Sequence, residues 1–195
     1  MERKRKMSIM VRLLLMVISP CLLLGIAMTL YSGWNMQRGM QKTTLDGMRA
    51  TDYAVLEMFK NIADGDFKQD AKGNVYRGEY KISDNNELAD YIKNKTDVDV
   101  TFFYGDTRVL TSLKDKKTGD RLIGTTASKE VTDKVLKNGK EYSDTGIVIN
   151  ERPYYGYYVP VKNSDDSIVG MVSEERAKIL MPLSKASQAP YFLWH

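Results

Sequence analysis

The chain predicts an α+β protein: an N-terminal membrane helix, then a long stalk helix packed on a five-stranded antiparallel sheet. Three observations predict it. An uncharged apolar run spans Leu13–Tyr31. A stretch of helical period follows it, and then a series of short alternating segments separated by turn residues. Successive strands with segregated helices argue for α+β rather than for a parallel sheet wound with helices.

The apolar run is 19 residues, about 28 Å of helix, which nearly matches a hydrocarbon core of about 30 Å. Pro20 is tolerated inside a membrane helix. Tyr31 and Trp34 suit an interface. Residues 1–12 carry Arg3, Lys4, Arg5, Lys6 and Arg12 against Glu2, a basic flank that predicts a cytoplasmic N-terminus and an extracytoplasmic remainder. A cleaved signal sequence is the alternative, but its apolar region is shorter and ends at small residues. The expected organisation is a flank at 1–12, an anchor at 13–34, a stalk helix at 35–63, a sensor domain at 64–173 and an atypical tail at 174–195.

From Asn35 onward, Met36, Met40, Met48, Val55, Phe59 and Ile62 recur at helical steps. The Met-rich half suits a partner helix in a homodimer, and the Val55–Ile62 half suits the chain's own sheet. Residues 68–82 read as an irregular hairpin around Lys72-Gly73-Asn74. Glu87–Lys95 reads as a short helix after the capping residues Ser83–Asn86, with Leu88 and Ile92 inward. Val98–Tyr104 and Arg108–Leu113 read as strands joined at Gly105-Asp106. Arg121–Gly124 reads as a short strand or loop. Ser128 caps a second short helix that Asn138-Gly139 stops. Glu141–Asn150, Pro153–Val161 and Ile168–Ser173 complete a meander.

Composition excludes several functions. The surplus of four positive charges on residues 1–12 equals the net +4 of the whole chain, so the folded part is neutral and no nucleic-acid surface is expected. The single cysteine, Cys21, lies in the apolar run, and the single histidine, His195, is the last residue. Disulfides, thiol chemistry, His-based triads and HExxH sites are therefore not expected in the domain. Asp64, Asp66 and Asp70 lack the register of a calcium loop. Neither G-x-S-x-G nor S-x-x-K occurs on a suitable scaffold, so no catalytic residues, metal or cofactor are assigned.

The stretches VDVTFFYGDTRVLTSL, GDRLIGTTAS and RPYYGYYVPVKNSDDSIVGMV, in this order after GDFKQDAKGNVYRGEYKISDNNELADYI, resemble the single-Cache sensor domain of bacterial methyl-accepting chemotaxis proteins over about residues 32–173. The resemblance implies a PAS-like fold and a small-molecule pocket on the sheet. It further implies a second membrane helix and a cytoplasmic transmitter. After Ser173, EERAKILMPLSKASQAPYFLWH holds no second run of 18 apolar residues. The ending reads as a truncated or frameshifted product, or as a stand-alone anchored binder.

The resemblance also points to ligand contacts. Arg108 begins a strand, and its planar fork of donors suits a carboxylate; pairing with Asp106 on the surface is the alternative. Ser112 is expected on the same face by the period of two, with Thr111 beside it. Arg121 and Thr125 come from the next segment. Tyr154 and Tyr158 are expected to share a face across Gly156, which leaves room for a ligand. Lys162 is a further group able to close the site. The expected function is an extracytoplasmic sensor of a small polar ligand, such as a carboxylate or amino acid, in a chemotaxis receptor at the cell membrane. The alternative is an interaction-only partner of full-length receptors, which mixed-dimer crosslinking distinguishes. An anchored enzyme is a third reading, which turnover lost on one substitution would reveal.

Overall fold

A computed structural model describes residues 8–178. The chain divides into two compact units, Met1–Thr44 and Leu45–His195. The basic residues 2–6 and most of the expected tail lie outside the described residues.

One helix, α1, spans Ile9–Asn61 and contains Pro20. It is long and apolar enough to cross a membrane. In the first unit its large apolar side chains, Leu13 to Leu30 among them, are exposed. Exposed apolar surface of this extent is unfavourable in water and satisfied in lipid. In the second unit α1 buries Met48, Asp52, Val55, Leu56 and Phe59. These fall at helical spacing and form one stripe. Met48, expected on a partner-facing surface, is 2 % exposed and belongs to the buried stripe instead.

A three-stranded sheet follows: β1 (Phe67–Gln69), β2 (Val75–Arg77) and β3 (Tyr80–Lys81), in the order β1-β2-β3. The expected hairpin thus gains a third strand. Its β1–β2 turn is organised by Asp70, whose carboxylate accepts from the amides of Lys72 and Asn74. Helix α2 (Asn86–Thr96) is capped by Asn85, which accepts from the Leu88 amide, and ends at Asp97 in the left-handed conformation.

The second sheet contains β4 (Asp99–Tyr104), β5 (Thr107–Thr111), β6 (Tyr142–Ile149), β7 (Arg152–Lys162) and β8 (Ile168–Ala177), in the order β5-β4-β8-β7-β6. All its neighbours are antiparallel, as the sequence predicts. Between β5 and β6, Ser128 caps a short helix, α3 (Lys129–Val131), which continues as a wider π-type turn through Lys137. The strand expected to end at Ser173 runs on through Ala177. Its extension is masked in the sequence by two adjacent glutamates, both buried.

The sheet has two covered faces, as strand alternation dictates. On one, Val100, Phe102, Leu110, Val159, Val161 and Val172 pack with Val55, Leu56 and Phe59 of α1. Phe59 meets Phe102 edge-on at 5.0 Å between ring centroids. On the other, Phe103, Tyr158 and Met171 pack with Val131 and Val135. This second cluster leaves part of its face open, and there the candidate site forms.

Candidate functional site

A β-bulge sets the geometry of the site. Phe102 pairs with Leu110 but Phe103 pairs with Arg108, so Val109 is the extra residue in β5. One inserted residue reverses the alternation beyond it. Val109 and Leu110 both join the core on the α1 side, and Arg108 lies beside Phe103 on the other face. Thr111, paired with Thr101, shares the Arg108 face. Ser112 does not, contrary to the expectation from simple alternation. Its hydroxyl donates to Asp99 Oδ1 at 2.7 Å and accepts from the Val100 amide.

A cavity of about 500 Å³ opens on this face. Phe103, Arg108, Tyr158 and Glu175 line its sheet side, Leu122 and Thr125–Ser128 one wall, and Asp144 with Gly146–Asn150 the other. The first wall is held by a backbone exchange. The Arg108 amide donates to the Thr125 carbonyl, and the Gly124 amide donates to the Arg108 carbonyl. The second wall departs from the sheet where the β6–β7 register shifts between Asp144 and Ile147, and the Asp144 carboxylate accepts from the Gly146 amide. Asn150 ties the second wall to the segment that follows β5. Its side-chain amide donates to the Lys114 carbonyl, and its oxygen accepts from the Lys116 amide.

Arg108 lies over the Phe103 ring at 5.0 Å. Its Nη1 donates to Thr125 Oγ1 at 2.6 Å, and its Nη2 stands 3.6 Å from Glu175 Oε1. Its Nε is buried without a partner. The surface pair with Asp106 does not form; Asp106 accepts from Thr107 instead. Glu175 is fully buried and accepts from Ser173 and Thr101, and Thr101 is 2.8 Å from the Thr111 hydroxyl. Burial pushes the Glu175 carboxyl above the ordinary carboxylate range, opposed chiefly by Arg108. Tyr158 stacks on Tyr142 at 6.5 Å, and burial pushes its phenol upward. Thr111, Thr101, Glu175, Arg108 and Thr125 thus form one polar chain reaching into the cavity, whose lining mixes apolar groups with Thr126, Ser128, Asp144 and Asn150.

The structure brings Arg108, Thr125 and Tyr158 of the expected residues to the cavity, with Thr111 one step behind. Arg121 is elsewhere: its guanidinium donates to the Thr111 carbonyl at 2.7 Å and to Asp90 at 2.6 Å, tying its loop to α2. Tyr154 is not part of the lining. The room expected at Gly156 is occupied, since a Cβ there would collide with the Ile147 side chain and crowd the Tyr158 ring. Lys162 lies away from this cavity and faces Asp166 at 3.5 Å. The sequence does not single out Glu175, because two adjacent glutamates read as lying beyond the end of the last strand, which in fact runs through Ala177. Its signal was available: Met171, Ser173 and Glu175 share one face by the period of two.

Among the described residues no cluster of three or more His, Cys, Asp or Glu side chains is placed to hold a metal ion. Residues 80–174 match the family model described as single cache domain 3. The match supports a Cache sensor domain, of a family of extracellular ligand-binding sensors that are in general not enzymes. It covers Arg108, Thr125 and Tyr158 and stops one residue before Glu175. No curated protein matches the chain.

Proposed function

We propose that this chain is the ligand-sensing part of a chemotaxis receptor, with its sensor domain outside the cell membrane and its N-terminus in the cytoplasm. The observation that carries the reading is the Arg108 guanidinium, buried at the cavity with Nε unpartnered. A buried donor without a partner is costly, and a ligand acceptor removes that cost. The ligand is a small polar molecule whose carboxylate meets Arg108 and Thr125. Tyr158 and Phe103 enclose its apolar part. The family match and the apolar span of α1 support the sensor and membrane parts of this reading. The basic flank supports the orientation, and the exposed Met36 and Met40 support a homodimer through the stalk.

A thermal-shift screen of the full chain in detergent with amino acids, carboxylates and nucleobases tests the ligand. A compound at about 100 times its dissociation constant adds roughly 2.7 kcal/mol. Stabilisation by none of them contradicts the proposal. Reporter fusions at Lys6 and Lys178 test the orientation, which requires the first to report cytoplasm and the second the outside.

A further inference from the structure

A pair of buried acids lies on the opposite face of the sheet from the cavity. Asp52 occupies the buried stripe of α1 between Met48 and Val55, 0 % exposed. Glu174, also 0 % exposed, shares the α1-facing side of β8 with Val172, while its neighbour Glu175 faces the cavity. All four carboxylate oxygens of Asp52 and Glu174 are buried and accept no hydrogen bond among the described residues. Two unpaired charges in such surroundings are strongly unfavourable, and a carboxyl there keeps its proton instead.

We propose that Asp52 and Glu174 form a proton-operated latch between α1 and the sheet. Protonated, both pack as neutral groups in the helix–sheet interface. Loss of a proton to solvent puts negative charge into that interface and weakens the hold of the sheet on α1. The response would make the sensor read pH from the face of the sheet opposite the ligand cavity.

The surroundings support it. On α1, Arg49 and Tyr53 both bond to Glu141, which comes from the loop before β6. On β7, Tyr157 is opposite Glu174 and also donates to Glu141. On β4, Val100 is opposite Glu174, and Asp99 belongs with Glu175. On β8, Arg176 opposes the rise at Glu174 but is 42 % exposed and faces Asp97 at 4.0 Å. Three acids, Glu174, Glu175 and Glu141, act on Asp52. Burial, then the charge of Glu175, raises the Glu174 carboxyl to about 8, and burial raises Asp52 well above its ordinary value. For groups raised on folding, stability is complete below the ordinary 4.5 and is lost as pH climbs toward about 8.

The test is the thermal midpoint of the full chain in detergent between about pH 5 and pH 9. Wild type, the Asp52→Asn/Glu174→Gln double variant and Glu175→Gln are compared. The wild-type midpoint is expected to fall by several degrees as pH rises, the double variant to fall clearly less because only Glu175 remains raised, and Glu175→Gln to retain a fall. A level wild type, or a double variant that falls as far, overturns the proposal. If the double variant does not fold, infrared spectra of Glu175→Gln decide. A protonated-carboxyl C=O band at about pH 6 that fades by about pH 9 supports the latch, and its absence at about pH 6 overturns it.

Discussion

Arg108 and Glu175 depend on each other. Arg108 is 12 % exposed and Glu175 is fully buried, so removing the cation leaves a carboxyl that must either stay charged without its partner or take up a proton. Arg108→Ala is therefore expected to destabilise the domain in a pH-dependent way. Where Glu175 is ionised the loss is about 3 kcal/mol, the lower end for breaking a buried pair, and where it is protonated the loss is smaller. Urea unfolding followed across the pH range in which the domain folds measures the difference, and an equal loss throughout contradicts the pairing. Glu141 behaves in the opposite sense. Hydrogen bonding and charge from Arg49, with the phenols of Tyr157 and Tyr53, lower it from 4.5 to about 2. Its contribution is present above about 4.5 and is lost as pH falls toward about 2. Glu141→Gln should remove part of the acid sensitivity of unfolding in that window, and an unchanged acid limb would contradict the assignment.

The elements show which parts of the fold a sequence can disclose. Strands β4, β5 and β7 announce themselves through alternation and turn glycines. Asn85 and Ser128 announce their helices through capping. The β5 bulge was not legible, because adjacent apolar residues such as Val109-Leu110 also occur in an unbulged strand covered on both faces; the extra residue is forced only by pairing with β4. Acids such as Asp52 and Glu174 read in a sequence as solvated faces, because only the packing shows that they lie in the core. Two substitutions test that packing. A Cβ at Gly170 would collide with the Phe103 carbonyl oxygen across the β4–β8 pair. Gly170→Ala should thus cost about 2–4 kcal/mol, well above an ordinary strand substitution. Phe59→Ala removes the α1 side chain that meets Phe102, and should cost about 3–5 kcal/mol. Denaturant midpoints check both, and losses under about 1 kcal/mol would contradict the packing.

At the scale of the whole molecule, function divides between a helix suited to lipid and a sheet with two differently used faces. The α1 side carries the largest core and the unpaired buried acids Asp52 and Glu174. The other face carries the cavity, whose polar chain runs from Thr111 to Arg108 and Thr125. The α+β fold class, the long apolar helix and the placement of Arg108, Thr125 and Tyr158 near one another were legible in the sequence. Glu175, the true position of Ser112 and the filled space at Gly156 required the register. A second cleft of about 480 Å³, lined by Lys60, Arg77 and Lys162, offers the alternative place for an anion. Titration calorimetry of a stabilising ligand therefore tests the central claim most directly, comparing wild type, Arg108→Ala and Lys60→Ala. Loss of a charge-assisted hydrogen bond, worth about 1.5–3 kcal/mol, should weaken binding to Arg108→Ala roughly ten- to a hundredfold. Lys60→Ala should bind as wild type does. Full affinity in Arg108→Ala, with loss in Lys60→Ala, would place the ligand in the other cleft and contradict the account.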